Sequence, residues 1–323
     1  MRIDELLALP GPCFSVEFFP PKTQEGRETL FETVEVLSRL GPSFFSVTYG
    51  AGGATREGTV EITRAIRAEY GVEAMAHLSC VGETQEALGE IVDEIAGAGI
   101  ENILALRGDP PRGQTDFEQP TGGLGSAAEL TRMIGQSHPE IAIGGACFPE
   151  VHPEAANMDA DIAYLKTKVD NRTTFLITQL FFDNAFYYDF VARARELGIE
   201  VPIVPGIMPI TNYGQIRRIT EMCGSVIPAH LVADLARDLH GSLARRPARS
   251  VGDREEARAE LAKHVDGLEQ HLVALLRLRG EELDREDRPR GGEDLVDSHA
   301  GKGIDRPFRP SQSAFTRNRP RTH

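Results

Sequence analysis

The sequence is short of several features that would have placed it quickly. It has four cysteines, Cys13, Cys80, Cys147 and Cys223, and none forms a CxxC pair. Three of them lie in apolar, strand-like runs, which reads as buried, reduced thiols rather than disulfides or a zinc site. There is no unbroken apolar stretch of membrane-spanning length. The first residues, Met1-Arg2-Ile3-Asp4-Glu5, carry no signal-peptide pattern, so the expectation is a cytoplasmic protein. Neither a P-loop nor a GxGxxG fingerprint is present, which argues against the Walker and Rossmann modes of phosphate binding. His77 and His152 stand alone, without HxH or HExxH spacing, and no metal site is expected. Positive charge is outnumbered, with 35 Lys and Arg against 49 Asp and Glu. The formal net charge of −14 disfavours nucleic acid and anionic membranes as partners.

What is present is an alternation. Seven β-rich runs, at 13–19, 44–50, 73–81, 102–108, 141–148, 174–182 and 202–208, are separated by amphipathic stretches. Leu30, Val34, Leu37 and Leu40 recur at helical steps, as do Leu88, Ile91, Val92 and Ile95, and Phe186, Phe190 and Leu197. Gly41, Gly71, Gly99, Gly198 and Gly224 follow the helical runs, where glycine closes a helix in the left-handed conformation at no steric cost. Strands alternating with helices imply parallel pairing by right-handed crossovers. Seven repeats within about 224 residues favour a closed α/β barrel of the (β/α)8 type over a doubly wound sheet. The eighth strand is expected to be degenerate, displaced or missing. A run through Leu261, Val265, Leu268, Leu272 and Leu275 reads as another helix. The barrel is therefore expected over residues 1–283, followed by a polar tail at 284–323 whose composition suits disorder.

In such barrels the chemistry sits at the C-terminal strand ends and the loops that follow. Those ends supply Glu17, Thr48, His77, Arg107 with Asp109, a loop with His152 and Glu154, and Gln179 with Asp183. Glu17 lies between Val16 and Phe18. Desolvation there should raise its pKa and suit it to proton donation near neutrality, unless a Lys or Arg pairs with it. Arg107-Gly108-Asp109, stiffened by Pro110-Pro111, could hold a polar heterocycle or form a solvated turn with an Arg–Asp pair.

Seven motifs in order resemble those of the methylenetetrahydrofolate reductase family: Ser15-Val16-Glu17-Phe18-Phe19-Pro20-Pro21-Lys22, Val47-Thr48-Tyr49-Gly50, Ala76-His77-Leu78-Ser79-Cys80, Leu106-Arg107-Gly108-Asp109, Phe148-Pro149-Glu150-Val151-His152-Pro153-Glu154-Ala155, Ile177-Thr178-Gln179 through Asp183, and Pro205-Gly206-Ile207-Met208-Pro209. The likeness spans about residues 10–230. It implies non-covalent FAD in the barrel mouth, NADH or NADPH as hydride donor, and reduction of 5,10-methylenetetrahydrofolate to 5-methyltetrahydrofolate. By resemblance Glu17 is the general acid, and Asp109 the acid beside flavin and folate. Gln179 and Tyr213 contact folate. Thr48, His77, Arg107, Gly108, Asp109, Ala146, His152, Glu154, Asp161 and Lys168 contact FAD.

Some positions depart from the family pattern. Gly122-Gly123-Leu124-Gly125 lacks an aromatic, Phe148 replaces a tyrosine, and Tyr164 and Thr167 replace polar FAD contacts. Only Phe315-Thr316-Arg317-Asn318-Arg319 faintly resembles the family's last strand. Either that strand is degenerate or the end is read in a shifted frame. The partners implied are folate and nicotinamide small molecules, with a homo-oligomer left open. Two other readings remain: a non-catalytic flavin- or folate-binding relative, and another flavin barrel such as a proline dehydrogenase-like enzyme.

Overall fold

The structure is a computed structural model that describes residues 1–49, 56–109, 119–210, 213–240 and 272–277. They belong to one compact unit, Met1–Gly280. Six strands alternate with helices: β1 (Cys13–Phe18), β2 (Phe44–Val47), β3 (Glu73–Ser79), β4 (Asn102–Leu106), β5 (Ala142–Cys147) and β6 (Phe175–Thr178). The seventh strand is broken at Pro205 into β7 (Ile203–Val204) and β8 (Gly206–Ile207), rather than running unbroken over 202–208. Proline lacks the N–H a ladder needs, which accounts for the break. Strands β1 to β7 pair in sequence order, all parallel, in a curled sheet of TIM-barrel kind.

Helices α1 (Ile3–Ala8), α2 (Gln24–Ser38), α3 (Arg56–Tyr70), α4 (Gln85–Gly97), α5 (Ala127–Ser137), α6 (Met158–Asp170), α7 (Asn184–Glu196), α8 (Tyr213–Cys223) and α9 (Ala229–His240) complete the described elements. Gly41, Gly71, Gly99, Gly198 and Gly224 all have positive φ, as their positions after helical runs require. Two of the periodic residues fall outside their helices. Leu40 lies beyond the end of α2 and Leu197 just beyond the end of α7, where Phe190 and Ala194 form the buried stripe while Phe186 is exposed. None of the helices among the described residues is long and apolar enough to cross a membrane.

Strand alternation divides the core in two. Residues facing outward, such as Val16, Phe18, Phe45, Val47 and Ala74, pack under α2 and α3 with Leu30, Val34, Leu37, Ile62 and Ile66. Residues facing inward, including Cys13, Phe44, Met75, Leu104, Ala142 and Phe175, fill the interior, and Ile3 and Leu7 of α1 join them. Burying each large apolar side chain contributes about 1.5–3 kcal/mol. Gly144 makes that interior packable, because a Cβ there would come within 2.7 Å of the Phe175 ring and 2.9 Å of Leu104.

The end of the sheet corrects the sequence reading. Leu272 and Leu275 do not continue a helix. They belong to a strand, β9 (Leu272–Arg277), which pairs antiparallel with β1 along its whole length and with β8 at Gly206 and Ile207. A usable β-run therefore does exist beside β1, where the sequence reading found none before 313–319. Its direction is opposite to that of a regular eighth strand. The expected candidate at 313–319, the tail at 284–323 and Leu261, Val265 and Leu268 lie outside the described residues.

A test of this pairing follows from the register, in which Ala274 is opposite both Val16 and Ile207. Proline at 274 removes a backbone donor inside a strand flanked on both sides. It should cost on the order of 2–3 kcal/mol, read as a lower urea midpoint. An unchanged midpoint would show that β9 does not hold the sheet.

Candidate functional site

Two groups of side chains meet at the C-terminal end of the sheet. The first lies inside the barrel. Parallel register puts Glu17 of β1 opposite Ser46 of β2, so both side chains leave the sheet on the same face. Ser46 donates its hydroxyl hydrogen to Glu17 Oε2 at 3.3 Å, and His77 Nε2 of β3 stands 3.4 Å from the same oxygen. The His77 ring is 6% exposed and the Glu17 side chain 14%, so neither charge would be well solvated. Burial pushes the Glu17 carboxyl up to about 7, opposed only by the Ser46 hydrogen bond. Burial pushes the His77 imidazole down to about 3. The pair is therefore neutral at moderate pH, with the proton on the acid. This matches the raised acid expected from sequence. The alternative, a carboxylate paired with Lys or Arg, is not found among the described residues.

The second group lines a cleft of about 440 Å³, within the usual range for small-molecule sites. Arg107, Gly108, Asp109, Ala146, His152, Glu154, Asp161 and Lys168 all border it. Each is fixed by an identifiable local cause. Gly108 has φ +90°, and a Cβ there would meet Ser79 Oγ at 2.2 Å and Val81 Cγ1 at 2.5 Å, so only glycine fits. Arg107 makes a two-pronged pair with Glu154, at 2.6 and 2.7 Å, which raises the guanidinium pKa and lowers that of Glu154. Arg107 thus pairs with Glu154 and not with Asp109, the partner a simple turn would have given it. Asp109 is exposed at the lip.

The loop after β5 holds its shape through Val151, a β-branched residue at φ +77°, a costly conformation tolerated where surrounding contacts enforce it. It lets the His152 N–H reach Asp161 Oδ2 at 2.8 Å. His152 Nδ1 accepts from the Glu154 N–H at 3.1 Å, and its ring meets Phe148 edge-on at 4.6 Å. Lys168 is buried, donates to the Ala146 carbonyl, and has its pKa lowered by burial. Its ammonium lies 5.7 Å from the Tyr164 ring centre.

The donor set fits the FAD expected from the motifs. Residues at the first turns of α5 and α6 border the cleft, through Ser126, Ala127, Ala160 and Asp161. Helix starts favour phosphate, and Lys168 and Arg107 add two cations. Ser126 was not singled out in the sequence, although Ser126-Ala127-Ala128-Glu129 after a glycine-rich stretch carries a helix-start signature. In the structure Ser126 Oγ accepts from the Glu129 N–H at 3.2 Å, and the Glu129 carboxylate accepts from the Gly125 N–H at 2.7 Å. Ser46 was also missed.

Three predicted residues stand apart from these contacts. Thr48 is buried at the top of β2, and its carbonyl accepts from the Thr59 hydroxyl at 2.9 Å. The Gln179 side-chain oxygen accepts from the Leu180 N–H at 2.9 Å, which leaves its amide hydrogens as donors. Tyr213, at the start of α8, packs against the interior cluster. Thr211, Asn212 and the loop 110–118 beyond Asp109 lie outside the described residues.

A curled parallel sheet with an acid of raised pKa inside and a separate cleft bordered by two helix starts, Lys168 and Arg107 defines the class: an α/β barrel with a small-molecule site at its mouth. Comparison with known proteins makes this particular. The methylenetetrahydrofolate reductase family model matches residues 2–277, and the chain belongs to that family. It is 43% identical over 233 residues to the Arabidopsis thaliana protein named methylenetetrahydrofolate reductase (NADH) 1, covering 69% of this chain and 39% of that one. It is 40% identical over 215 residues to the 5,10-methylenetetrahydrofolate reductase of Salmonella typhimurium, covering 67% and 70%. A Schizosaccharomyces pombe relative, methylenetetrahydrofolate reductase 1, is 36% identical over 241 residues, covering 73% and 40%. The chain thus spans about two-fifths of the length of the plant and yeast relatives it matches.

Two outcomes test the geometry. Gly108→Ala combines a disallowed φ with a collision against Ser79 and Val81, and should destabilise by about 2–4 kcal/mol in urea titrations. Glu17 gives a pH signature. Its pKa is raised from 4.5 to about 7, so the folded state keeps a proton that the unfolded chain releases. The stability it contributes is complete below pH 4.5 and is lost as pH rises through about 7. Glu17→Gln cannot ionise. From pH 5 to pH 8 it should gain about 2–3 kcal/mol relative to the parent protein, and parallel pH curves for the two proteins would refute a buried, protonated Glu17.

Proposed function

We propose that the chain binds FAD non-covalently and reduces 5,10-methylenetetrahydrofolate to 5-methyltetrahydrofolate, with NADH or NADPH as the hydride source. The observation that carries this reading is Glu17: an acid that still holds its proton near neutral pH, at the top of a barrel beside a cleft suited to a dinucleotide. FAD, when bound, supplies the hydride chemistry.

The residues of this chain do the rest. Lys168 and Arg107 meet phosphate at the first turns of α5 and α6, Arg107 being oriented by Glu154. Asp161 holds the His152 backbone, so the loop carrying His152 presents a fixed wall. Gly108 and Ala146 keep that wall thin. Thr48 and His77 border the cofactor from the barrel side. Asp109, at the lip, puts a negative charge where flavin and folate meet. The Gln179 amide, its oxygen already engaged, donates to folate, and Tyr213 offers a flat face for a ring. Glu17 delivers the proton that opens the methylene bridge. In this role a carboxylic acid with a pKa near 7 balances occupancy of the protonated form against readiness to release it.

The test is direct. The purified protein should be yellow or take up added FAD, and NADH or NADPH should bleach the flavin absorbance. Glu17→Gln should leave that bleaching nearly intact and lower methylenetetrahydrofolate reduction by about 10²–10⁴-fold. A colourless protein that ignores FAD would end the proposal. Equal slowing of both half-reactions would remove Glu17 from the acid's role.

A further inference from the structure

The inner cluster assigns more than its acid. Both neighbours of Glu17 approach one oxygen: Ser46 Oγ stands 3.3 Å and His77 Nε2 3.4 Å from Oε2. Oε1 has no hydrogen-bond partner among the described residues, and it is not among their sealed, unsatisfied atoms. The two carboxyl oxygens are therefore unequal. One faces two polar groups within the barrel wall, and the other is open.

Ser46 is itself fully buried and belongs to β2, whose other inward residues are Phe44 and Thr48. An unpaired buried hydroxyl costs about 1–3 kcal/mol; unlike the buried Ser15 hydroxyl on β1, which has no partner among the described residues, that of Ser46 is paired. Its one hydrogen bond to a side chain goes to Glu17. His77 contributes differently. Its Nε2 is buried and lacks a hydrogen bond with good geometry, and burial keeps the ring neutral, so it packs against Oε2 without neutralising it as a cation would.

We propose that Ser46 is the positioning residue of this site: its hydroxyl pins Oε2 of Glu17 and leaves Oε1 as the oxygen that carries and delivers the proton. This rests on the proton-donor role given to Glu17 above. In the transfer the Oε1–H bond breaks and an N–H bond forms on the departing nitrogen of the methylene bridge. The electron pair of the broken O–H bond stays on the carboxylate. No oxidant or reductant enters this step. The negative charge appears on a group whose Oε2 already accepts a hydrogen bond, and that bond strengthens as the charge develops. Ser46 thus favours the product of proton release more than the reactant, and it keeps the carboxyl from rotating the proton away from the mouth.

Each neighbouring strand contributes to the surroundings of Glu17. On β1 itself Ser15 is the adjacent inward residue, β2 gives Ser46 and Thr48, and β3 gives His77. β9 lies against β1 with Val273 opposite Glu17. His77 is the titratable group among them, and no charged residue contributes to the Glu17 shift among the described residues. Removing Ser46 should therefore move the titration of Glu17 upward, with no compensating change elsewhere.

The experiment reads that carboxyl directly. Protein labelled with ¹³C at the glutamate side-chain carboxyl is titrated by NMR, and the Glu17 signal is identified by its absence from Glu17→Gln. The parent signal should titrate near 7. Ser46→Ala should raise the midpoint by about 0.5–1 pH unit, the equivalent of one hydrogen bond to the charged form. Ser46→Thr, which keeps the hydroxyl, should restore it, and Ser46→Cys, a weaker donor of similar size, should fall between. If Ser46→Ala does not fold, the Thr and Cys variants still rank the donors. A midpoint that ignores the donor series overturns the proposal. The alkaline limb of folate turnover should move by the same amount as the NMR midpoint. A shifted midpoint in a protein that takes no folate would leave Ser46 controlling Glu17 while defeating the reductase reading, so the two failures are distinguishable.

Discussion

A carboxyl group inside an apolar barrel must either meet a cation or keep its proton, and here it keeps its proton. Transfer of an unpaired carboxylate out of water is costly enough that the group titrates instead. The interior around Glu17 offers a hydroxyl and a neutral ring but no ammonium or guanidinium among the described residues. Much of the site's arrangement follows from that. His77 is held neutral by the same burial, so it does not act as the missing cation. The mouth above Glu17 can then present a proton rather than a charge.

The cations are placed in the other compartment, and each is occupied in a way that keeps it there. Lys168 donates a hydrogen bond to the Ala146 carbonyl, and Arg107 is clamped by both oxygens of Glu154. These two modes differ in consequence. Lys168 bonds to a neutral carbonyl in a poorly solvated place, and burial lowers its pKa against the smaller opposing pull of Cys147 and Asp161. The charge of Arg107 is largely balanced by Glu154. In the proposed binding of phosphate, Lys168 thus offers a charge close to no paired carboxylate, and Arg107 one already held in place by Glu154.

The sequence revealed the parts of the fold governed by local chemistry. Short β-rich runs, glycine helix ends and the apolar stripes of α2 and α4 could be read because each is set by residues close together in the chain. The raised pKa of Glu17 could be read for the same reason, from its apolar strand neighbours alone. Ser46 could not, because its significance comes from parallel register with a strand 29 positions away. The Arg107–Glu154 pair, 47 positions apart, was hidden in the same manner, and Asp109 looked the nearer partner. Strand β9 was missed for a different reason. The helical spacing of Leu268, Leu272 and Leu275 masks the short apolar run Leu272-Val273-Ala274-Leu275-Leu276, which suits a buried strand equally. Pairing with the open sides of β1 and β8 overrides that local preference, as tertiary context commonly does for short apolar runs.

Closure and chemistry meet on β1. That strand has β2 on one side and β9 on the other, and Glu17 is opposite Ser46 on the first and Val273 on the second. Without β9, β1 would be an edge strand with unpaired backbone groups open to water. Water at that edge would solvate the Glu17 carboxylate and relax the burial that holds its proton. The antiparallel direction of β9 does not weaken this role, because antiparallel and parallel ladders both satisfy the backbone of the strand between them. What the acid requires of its neighbour is coverage rather than direction. The same strand also closes over Gly206 and Ile207, within the Pro205–Pro209 motif that follows the break in the seventh strand. The least regular part of the sheet therefore stands directly behind the residue on which the proposed chemistry depends, and the proton affinity of Glu17 reports whether that part is in place.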